Sequence, residues 1–185
     1  KNSEDIDSGN IMTLFASTSA DDGTKVFITN RNDNTISIIE TVSNTVTNTI
    51  SVGNLPIAIC SNAIGNKIYV SNNGGSSISV ITTTTTTTTT NVITTIPVFI
   101  NPRGLVMHPD ETKVYVAGSN NSVAVLDTIT DTVSTFISLG TNTSPQGIAI
   151  SPDGSLLYVA TFGSDTITII DTMSNTVIGA IPVGN

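Results

Sequence analysis

Four segments of the chain alternate large aliphatic residues with small or polar ones. They read TISIIE at residues 35–40, SISVIT at 77–82, SVAVLD at 122–127 and TITIID at 166–171. A period of two residues predicts β-strands, and Thr, Ile and Val suit a pleated surface. Bulk on one face and small side chains on the other indicate a sheet stacked between neighbouring sheets.

A second segment, centred on an aromatic residue, recurs just before each of these strands. It begins at Lys25, Lys67, Lys113 and Leu156, at spacings of 42, 46 and 43 residues. A turn and a further strand follow each alternating segment, as at Ser43, Thr130 and Ser174, and a first strand follows Pro56, Pro102 and Pro145. Repeats of this length with four short strands are typical of propeller blades.

The sequence therefore predicts an all-β fold, a β-propeller of four four-stranded antiparallel blades. We expect an N-terminal tail at residues 1–10 and a propeller at 11–185, with blades at about 11–52, 53–97, 98–140 and 141–185. An open arc would expose two aliphatic blade faces. The blades must therefore close into a small ring, assemble with copies or belong to a larger propeller; we expect the small ring because each unit is whole.

Two stretches depart from the repeat. The first strand of blade one is weak, and either residues 15–19 or the more apolar residues 11–15 should pair. In blade two, nine threonines at residues 82–90 lengthen the turn before the fourth strand by four residues. We expect this run, including Thr86, either to form a protruding ribbon that contacts a neighbouring subunit or to be a polar loop without a role.

The repeated motifs resemble the YVTN β-propeller repeat. Its order is an aromatic-centred strand ending in Asn, a strand of Ile-Asp type, Asn-Thr-Val, Ile-Pro-Val-Gly and Pro-x-Gly-Ile-Ala-x-Ser-Pro-Asp-Gly. The match runs from Lys25 to Gly184 and includes Pro145 to Gly154. The resemblance implies an archaeal or bacterial cell-surface protein, often with seven blades. Lactonases and quinoprotein dehydrogenases are similar in architecture.

Composition and charge narrow the classes of partner. The net charge is −8, the pI is about 4.2, and the six basic residues are scattered. No stripe of Lys or Arg could follow a phosphate backbone, so we expect no nucleic-acid partner. No apolar run reaches the roughly 18 residues of a membrane helix, so we expect no membrane insertion within this chain.

Few side chains in the sequence are of the types that act in catalysis or bind metals. We expect no catalytic residue, metal ligand or cofactor. His108 is the only histidine and should be a turn residue after an inner strand. Glu40, Asp127 and Asp171 recur at one repeat position and should hold the following turn through backbone N–H groups. Cys60, in the apolar run IAIC, should be a buried hydrophobe.

The loops at one end of the propeller are rich in Asn and Gly. They offer candidate contact residues at Asn32, Asn34, Asn73 and Asn121, besides Thr86. They could bind glycans or proteins through amide hydrogen bonds, although good turn formation alone explains each loop. Asn120 and Asn142 also fit the Asn-x-Ser/Thr pattern of glycosylation, which chance matches readily produce in a chain this rich in Asn and Thr.

These features favour a non-catalytic, extracellular surface scaffold, adhesion or protein-binding module. Its expected partners are other surface proteins or copies of itself, with glycans as a further class. The alternative is a propeller enzyme, lactonase-like or quinoprotein-like, that works at the mouth of the channel. Such an enzyme needs convergent carboxylates and a metal or quinone near the axis.

Overall fold

The computed structural model describes residues 14–19, 23–82, 91–99 and 101–184. They form sixteen strands in four antiparallel sheets, each with its strands in sequence order, and a short 3₁₀ turn, Phe162–Ser164, before β15. The blades are β1–β4 (Leu14–Ser19, Lys25–Asn30, Thr35–Glu40, Thr45–Ser51), β5–β8 (Pro56–Ser61, Lys67–Asn72, Ser77–Thr82, Asn91–Pro97), β9–β12 (Pro102–Met107, Lys113–Gly118, Ser122–Asp127, Thr132–Ser138) and β13–β16 (Pro145–Ile150, Leu156–Thr161, Thr166–Asp171, Thr176–Pro182). The predicted fold class is confirmed.

Within the described residues, tight turns with one left-handed residue join the second strand to the third in every blade, and the third to the fourth in blades one, three and four. Between the second and third strands this residue is Asn34, Ser76, Asn121 or Asp165, with φ between 51° and 58°. Between the third and fourth strands Asn44, Asp131 and Asn175 have φ of 51° to 55°. Asn and Asp tolerate this region because their short polar side chains bond locally to the backbone.

The core lies between the blades, where each sheet stacks on the next. We call the face of a blade that packs on the following blade its forward face, and the opposite face its backward face. The forward face of blade one, which holds Phe27 and Ile38, packs on the backward face of blade two, which holds Ile68 and Ile81. Tyr69 and Val80 of blade two pack in the same way on blade three, and blade three packs on blade four through a third cluster.

Burial along the strands shows where the stack ends. Every residue of Ile68–Asn72, and of the matching segment in blade three, is buried, so these strands are covered on both faces. Strands β2, β3, β14 and β15 alternate between buried and partly exposed positions. Blades one and four are therefore covered on one face only.

The inner strands β1, β5, β9 and β13 lie side by side in that order, whereas β13 makes no comparable contact with β1 within the described residues. The expectation of a closed ring of four is therefore wrong. The described chain is an open arc, a part of a propeller. The uncovered faces of blades one and four do not meet, although a closed ring would require them to pack on each other.

Glycine and asparagine in the repeat have clear packing roles. A Cβ on Gly104, the glycine of a Pro-x-Gly segment, would lie 2.7 Å from the carbonyl oxygen of Gln146 on the next inner strand. The small residue at this position leaves room for the neighbouring inner strand, as predicted for the Gly or Ala that follows Pro by two residues. The Asn72 amide at the end of β6 donates to the hydroxyls of Ser77 and Ser79, at 3.1 and 2.9 Å, and ties the second strand to the third.

Three further expectations concern particular segments. In blade one the strand Leu14–Ser19 pairs with β2, so the alternative at residues 15–19 matches, and residues 11–13 lie outside the described part. The threonine run past Thr82, with Thr86 and its ribbon, also lies outside it. Within the described ranges no helix is long and apolar enough to cross a membrane.

Candidate functional site

The Asn- and Gly-rich loops lie at one end of the blades and are bonded to one another. We call this end the loop rim; it comprises the turns between second and third strands and the connections from each fourth strand to the next blade. The side-chain oxygen of Asn34 accepts the backbone N–H of Leu55 at 2.8 Å. The carbonyl of Leu55 accepts the N–H of Asn73 at 3.0 Å. The connection between blades one and two is thus held between two successive turns.

The same arrangement recurs between blades three and four. The side-chain oxygen of Asn121 accepts the N–H groups of Thr143 and Ser144 at 2.9 and 3.2 Å, and the Thr143 hydroxyl at 3.2 Å. The carbonyl of Thr143 accepts the N–H of Gly163 at 3.0 Å. Asn34 and Asn121, two of the candidate contact residues, therefore direct their side-chain oxygens at the backbone of the chain itself.

The remaining candidates on the rim differ in how much they offer to solvent. Asn73 is partly exposed and its amide donates to the carbonyl of Pro102 at 3.2 Å, across to blade three. Asn32 is exposed. Asn120 and Asn142 are both exposed, and the Asn120 oxygen accepts the Ser122 hydroxyl at 2.7 Å. No structural feature brings these residues together into one pocket-like cluster within the described part.

Two of the three recurring acids, Asp127 and Asp171, hold turns, as predicted, and for Glu40 this stays a prediction. Asp127 accepts the N–H groups of Ile129 and Thr130 at 2.9 and 2.7 Å, and Asp171 accepts that of Ser174 at 2.7 Å. Hydrogen bonds from the turn residues hold the pKa of both carboxyls below the usual value, chiefly those of Thr130 and Ser174. These carboxylates are thus satisfied by their own turns.

A contact between blades two and three involves an ion pair that sequence reasoning missed. Lys67 lies 2.9 Å from the carboxylate of Asp131 and donates to the carbonyl of Thr128. The hydroxyl of Tyr69 donates to the same carboxylate at 2.8 Å. Burial is the main cause that raises the pKa of Tyr69, with the Asp131 carboxylate adding to it. The only available signal was that Lys recurs at the start of the second strand.

His108 lies in a turn directly after β9, as predicted, and links blades three and four. Its Nε2 is 3.1 Å from the carbonyl oxygen of Gly154, and its Nδ1 is 2.7 Å from a carboxylate oxygen of Asp110. A Cβ on Gly154 would lie 2.6 Å from Nε2 of His108. The glycine of the Pro-Asp-Gly turn in blade four therefore leaves room for the imidazole ring. The two nitrogens of the imidazole therefore contact the Gly154 carbonyl and the Asp110 carboxylate, one on each side of the ring.

Cys60 is buried, and burial raises the pKa of its thiol, in agreement with its predicted role as a small hydrophobe. Among the described residues, no three His, Cys, Asp or Glu side chains are grouped as metal ligands would be. Arg103, on the inner strand β9, has a buried Nε without a hydrogen-bond partner. Arg103 is the only cationic residue on the described inner strands. Its guanidinium is the only feature of these strands that favours an anionic ligand.

The repeat and its packing match a known family. The model of the family named "Lactonase, 7-bladed beta-propeller" matches residues 20–132, more than half of the chain. This chain belongs to the seven-bladed lactonase propeller family. The match covers blade two and large parts of blades one and three, so membership rests on the same repeats that form the stacked sheets.

Solved structures are similar in fold over 92% of the chain. A chain of Kuenenia stuttgartiensis hydrazine synthase is similar with a TM-score of 0.83 and 28% identity, over 92% of this chain and 49% of that one. A functionally unknown protein from Desulfotomaculum acetoxidans gives a TM-score of 0.78 at 18% identity, over 92% and 56%, and shows the fold alone. The chain spans about half the length of these structures. No curated protein matches it.

Proposed function

We propose that this protein is a non-catalytic extracellular surface module of YVTN type, which scaffolds or binds other proteins through its loop rim. The observation that carries the proposal is the pair of clamps at Asn34 and Asn121. Each fixes a blade-to-blade connection through backbone N–H groups. Loops fixed in this way present a preorganised surface, and a preorganised surface loses less entropy on binding.

The surface chemistry supports protein or glycan partners. The chain is acidic, with a net charge of −8, and its polarity comes mainly from uncharged side chains. Asn32, Asn120 and Asn142 are exposed on the rim. Their amides offer both donors and acceptors to a partner, and the last two fit the acceptor pattern for glycosylation. Other surface proteins, copies of the chain and glycans are the partners that this surface suits.

The surface location is tested by protease treatment of intact cells of the source organism, followed by mass spectrometry of the released peptides. Peptides from the rim loops should be released before the cells lyse, whereas those of an abundant cytoplasmic protein should not. Release only together with cytoplasmic peptides would overturn the extracellular location. The intact mass of the purified native protein tests the modification of Asn120 and Asn142; a mass equal to that of the bare polypeptide would contradict it.

An enzyme is the second candidate, favoured by the family name and by the likeness to hydrazine synthase. Arg103→Ala is the variant that tests this candidate, because Arg103 is the cationic residue on the described inner strands. A panel of lactones with Ca²⁺, Mg²⁺, Mn²⁺ or Zn²⁺ should be hydrolysed no faster than in buffer. Hydrolysis that Arg103→Ala abolishes, and that the loop variant Ile129→Ala retains, would replace the binding proposal with the enzymatic one.

A further inference from the structure

The end of the blades opposite the loop rim is acidic. This end, which we call the turn end, comprises the turns between first and second strands and those between third and fourth strands. Of the nine Asp and Glu residues that the structure describes, seven lie in or directly beside turn-end turns and two at the loop rim. The five described Lys and Arg residues divide into three at the turn end and two at the rim. Negative charge is therefore concentrated at the turn end.

Two isoleucines of the turn end are largely exposed, although both belong to the middle blades. Ile64, in the turn between β5 and β6, is 67% exposed, and Ile129, in the turn between β11 and β12, is 85% exposed. Blades two and three are packed against a neighbouring blade on both faces. The exposure of these two side chains therefore does not depend on the extent of the arc.

The turn at Ile64 does not need an isoleucine in order to form. Asp110 and Asp153 stand at the same place in blades three and four, where each carboxylate accepts the N–H of the residue two places later, at 2.9 and 3.1 Å. Ile64 has no acceptor to offer, and its turn is held instead by the side-chain oxygen of Asn62, which accepts two backbone N–H groups at 3.0 and 2.9 Å. The exposed aliphatic side chain is thus left available for a contact outside the blade.

Hydrogen bonds join the turns of the two isoleucines into one surface. The N–H of Ala63 donates to the Glu111 carboxylate at 2.5 Å, from blade two to blade three. The carbonyl of Glu111 accepts the hydroxyl of Thr128, the residue before Ile129, at 2.7 Å. The Asp127 carboxylate accepts the Ile129 N–H at 2.9 Å. Both isoleucines are therefore presented by fixed turns, and a fixed surface loses less entropy on binding.

We call this surface the turn patch; it comprises Ile64, Asp110, Glu111, Asp127 and Ile129. Its three carboxylates outnumber the positive charge beside them. Lys113 lies opposite Asp127 in the strand register and supplies one positive charge, whereas the ion pair of Lys67 with Asp131 adds no net charge. The side chain of Asp110 is 55% exposed. A molecule that covers the turn patch must therefore bring cations to its carboxylates as well as apolar groups to its isoleucines.

From these observations we propose that the turn patch is a docking surface for a segment of another protein that carries apolar side chains beside Lys or Arg. The apolar side chains cover Ile64 and Ile129, and the basic ones pair with the surrounding carboxylates. The apolar contacts supply most of the affinity, while the charges fix the orientation and speed association. The turn patch lies at the opposite end of the blades from the loop rim. This inference therefore goes beyond the proposed function, and its failure leaves that function untouched.

Peptide display tests which chemistry the turn patch selects. A random peptide library on phage is first depleted on the double variant Ile64→Asp with Ile129→Thr and is then selected on the wild-type protein. Both substitutions lie in exposed turns, so the melting transition of the variant should match that of wild type. The retained peptides should combine apolar residues with Lys or Arg. Retained peptides that are acidic or uncharged, or a library in which no peptide distinguishes the two proteins, overturn the proposal.

Fluorescence anisotropy of one retained, fluorescein-labelled peptide separates docking from simple attraction between opposite charges. Ile64→Asp adds a carboxylate and would tighten binding if charge alone acted, whereas docking predicts an affinity about tenfold weaker, because an apolar contact is lost. Ile129→Thr should weaken binding to a similar extent, and Val42→Thr, at the same turn position of blade one, should leave it unchanged. Equal or tighter binding by Ile64→Asp overturns the proposal. A wild-type dimer that Ile129→Thr dissociates would assign the turn patch to a second copy and overturn it as well.

Discussion

The hydroxyl of Tyr69 in blade two donates a hydrogen bond of 2.8 Å to the carboxylate of Asp131 in blade three, and the Lys67 ammonium lies 2.9 Å from the same oxygen. Blades three and four lack this arrangement: Asn175 replaces the aspartate, and the buried Tyr115 hydroxyl and Asn175 side-chain oxygen have no partner. Consecutive blade interfaces therefore share apolar packing but differ in their polar contacts.

Removing the carboxylate should weaken the interface between blades two and three. Asp131→Gly keeps the left-handed turn, at φ of 53°, but leaves the buried Tyr69 hydroxyl without its acceptor and Lys67 with only the Thr128 carbonyl, and should lower the free energy of unfolding by about 1 to 3 kcal/mol. The converse variant, Asn175→Asp, replaces the amide oxygen by a charged carboxylate, a stronger acceptor, at the repeat equivalent of Asp131, and should raise the free energy of unfolding by about 1 kcal/mol. Urea unfolding followed by circular dichroism measures both, and changes of equal sign would contradict the interpretation.

Close approach of the inner strands leaves little room for a side chain at Gly104, whereas Gly147, its repeat equivalent, has space around it. Gly104→Ala would place a methyl group 2.7 Å from the backbone oxygen of Gln146, and the strands must separate by a few tenths of an ångström or more. We expect a loss of about 1 to 3 kcal/mol in stability. Gly147→Ala is the matched control and should change the stability of the isolated chain by less than about 1 kcal/mol. Thermal unfolding at low protein concentration compares the two.

The clamp at Asn121 should contribute to the rigidity of the rim. Asn121→Gly keeps the left-handed turn, at φ of 58°, but removes the acceptor of the Thr143 and Ser144 N–H groups. We expect a loss of about 1 to 2 kcal/mol and faster hydrogen exchange at residues 143–144. Asn32→Gly, in the exposed turn of blade one, should leave exchange at these residues unchanged. Equal exchange rates in wild type and Asn121→Gly would show that the amide is dispensable.

Acid should weaken the fold through the turn carboxylates. The Ser151 hydroxyl, with the N–H and hydroxyl of Ser155, lowers the pKa of Asp153 to about 2. A carboxyl whose pKa is lower in the folded than in the unfolded state stabilises the fold above the unfolded value of about 3.9, and this stability is lost as the pH falls toward 2. Asp153→Asn should therefore lose less stability than wild type between pH 5 and pH 2, measured as urea midpoints. An equal decline of the urea midpoint in wild type and in Asp153→Asn would exclude the Asp153 carboxyl as a cause of the acid sensitivity.

The repeat, the strands and the fold class could be read from the sequence alone. Alternation with a period of two depends only on neighbouring residues, so TITIID at residues 166–171 predicts its strand and its two faces without knowledge of the fold. The turn functions of Asp127 and Asp171 are local for the same reason, because each carboxylate bonds backbone two or three residues away. The close approach at Gly104 was also foreseen, since it follows from the crowding of inner strands.

Tertiary structure alone decided which residues meet across blades. Asn121 and Thr143 are far apart in sequence, and whether the amide faces solvent or a neighbouring loop depends on how two blades dock. The pairing of Tyr69 with Asp131 spans more than one repeat and has no local signal. The open arc, too, is a property of stacking. Each blade has two apolar faces in its sequence, but only the number of neighbours decides that the Tyr158 face of blade four remains partly exposed while the Tyr115 face of blade three is buried.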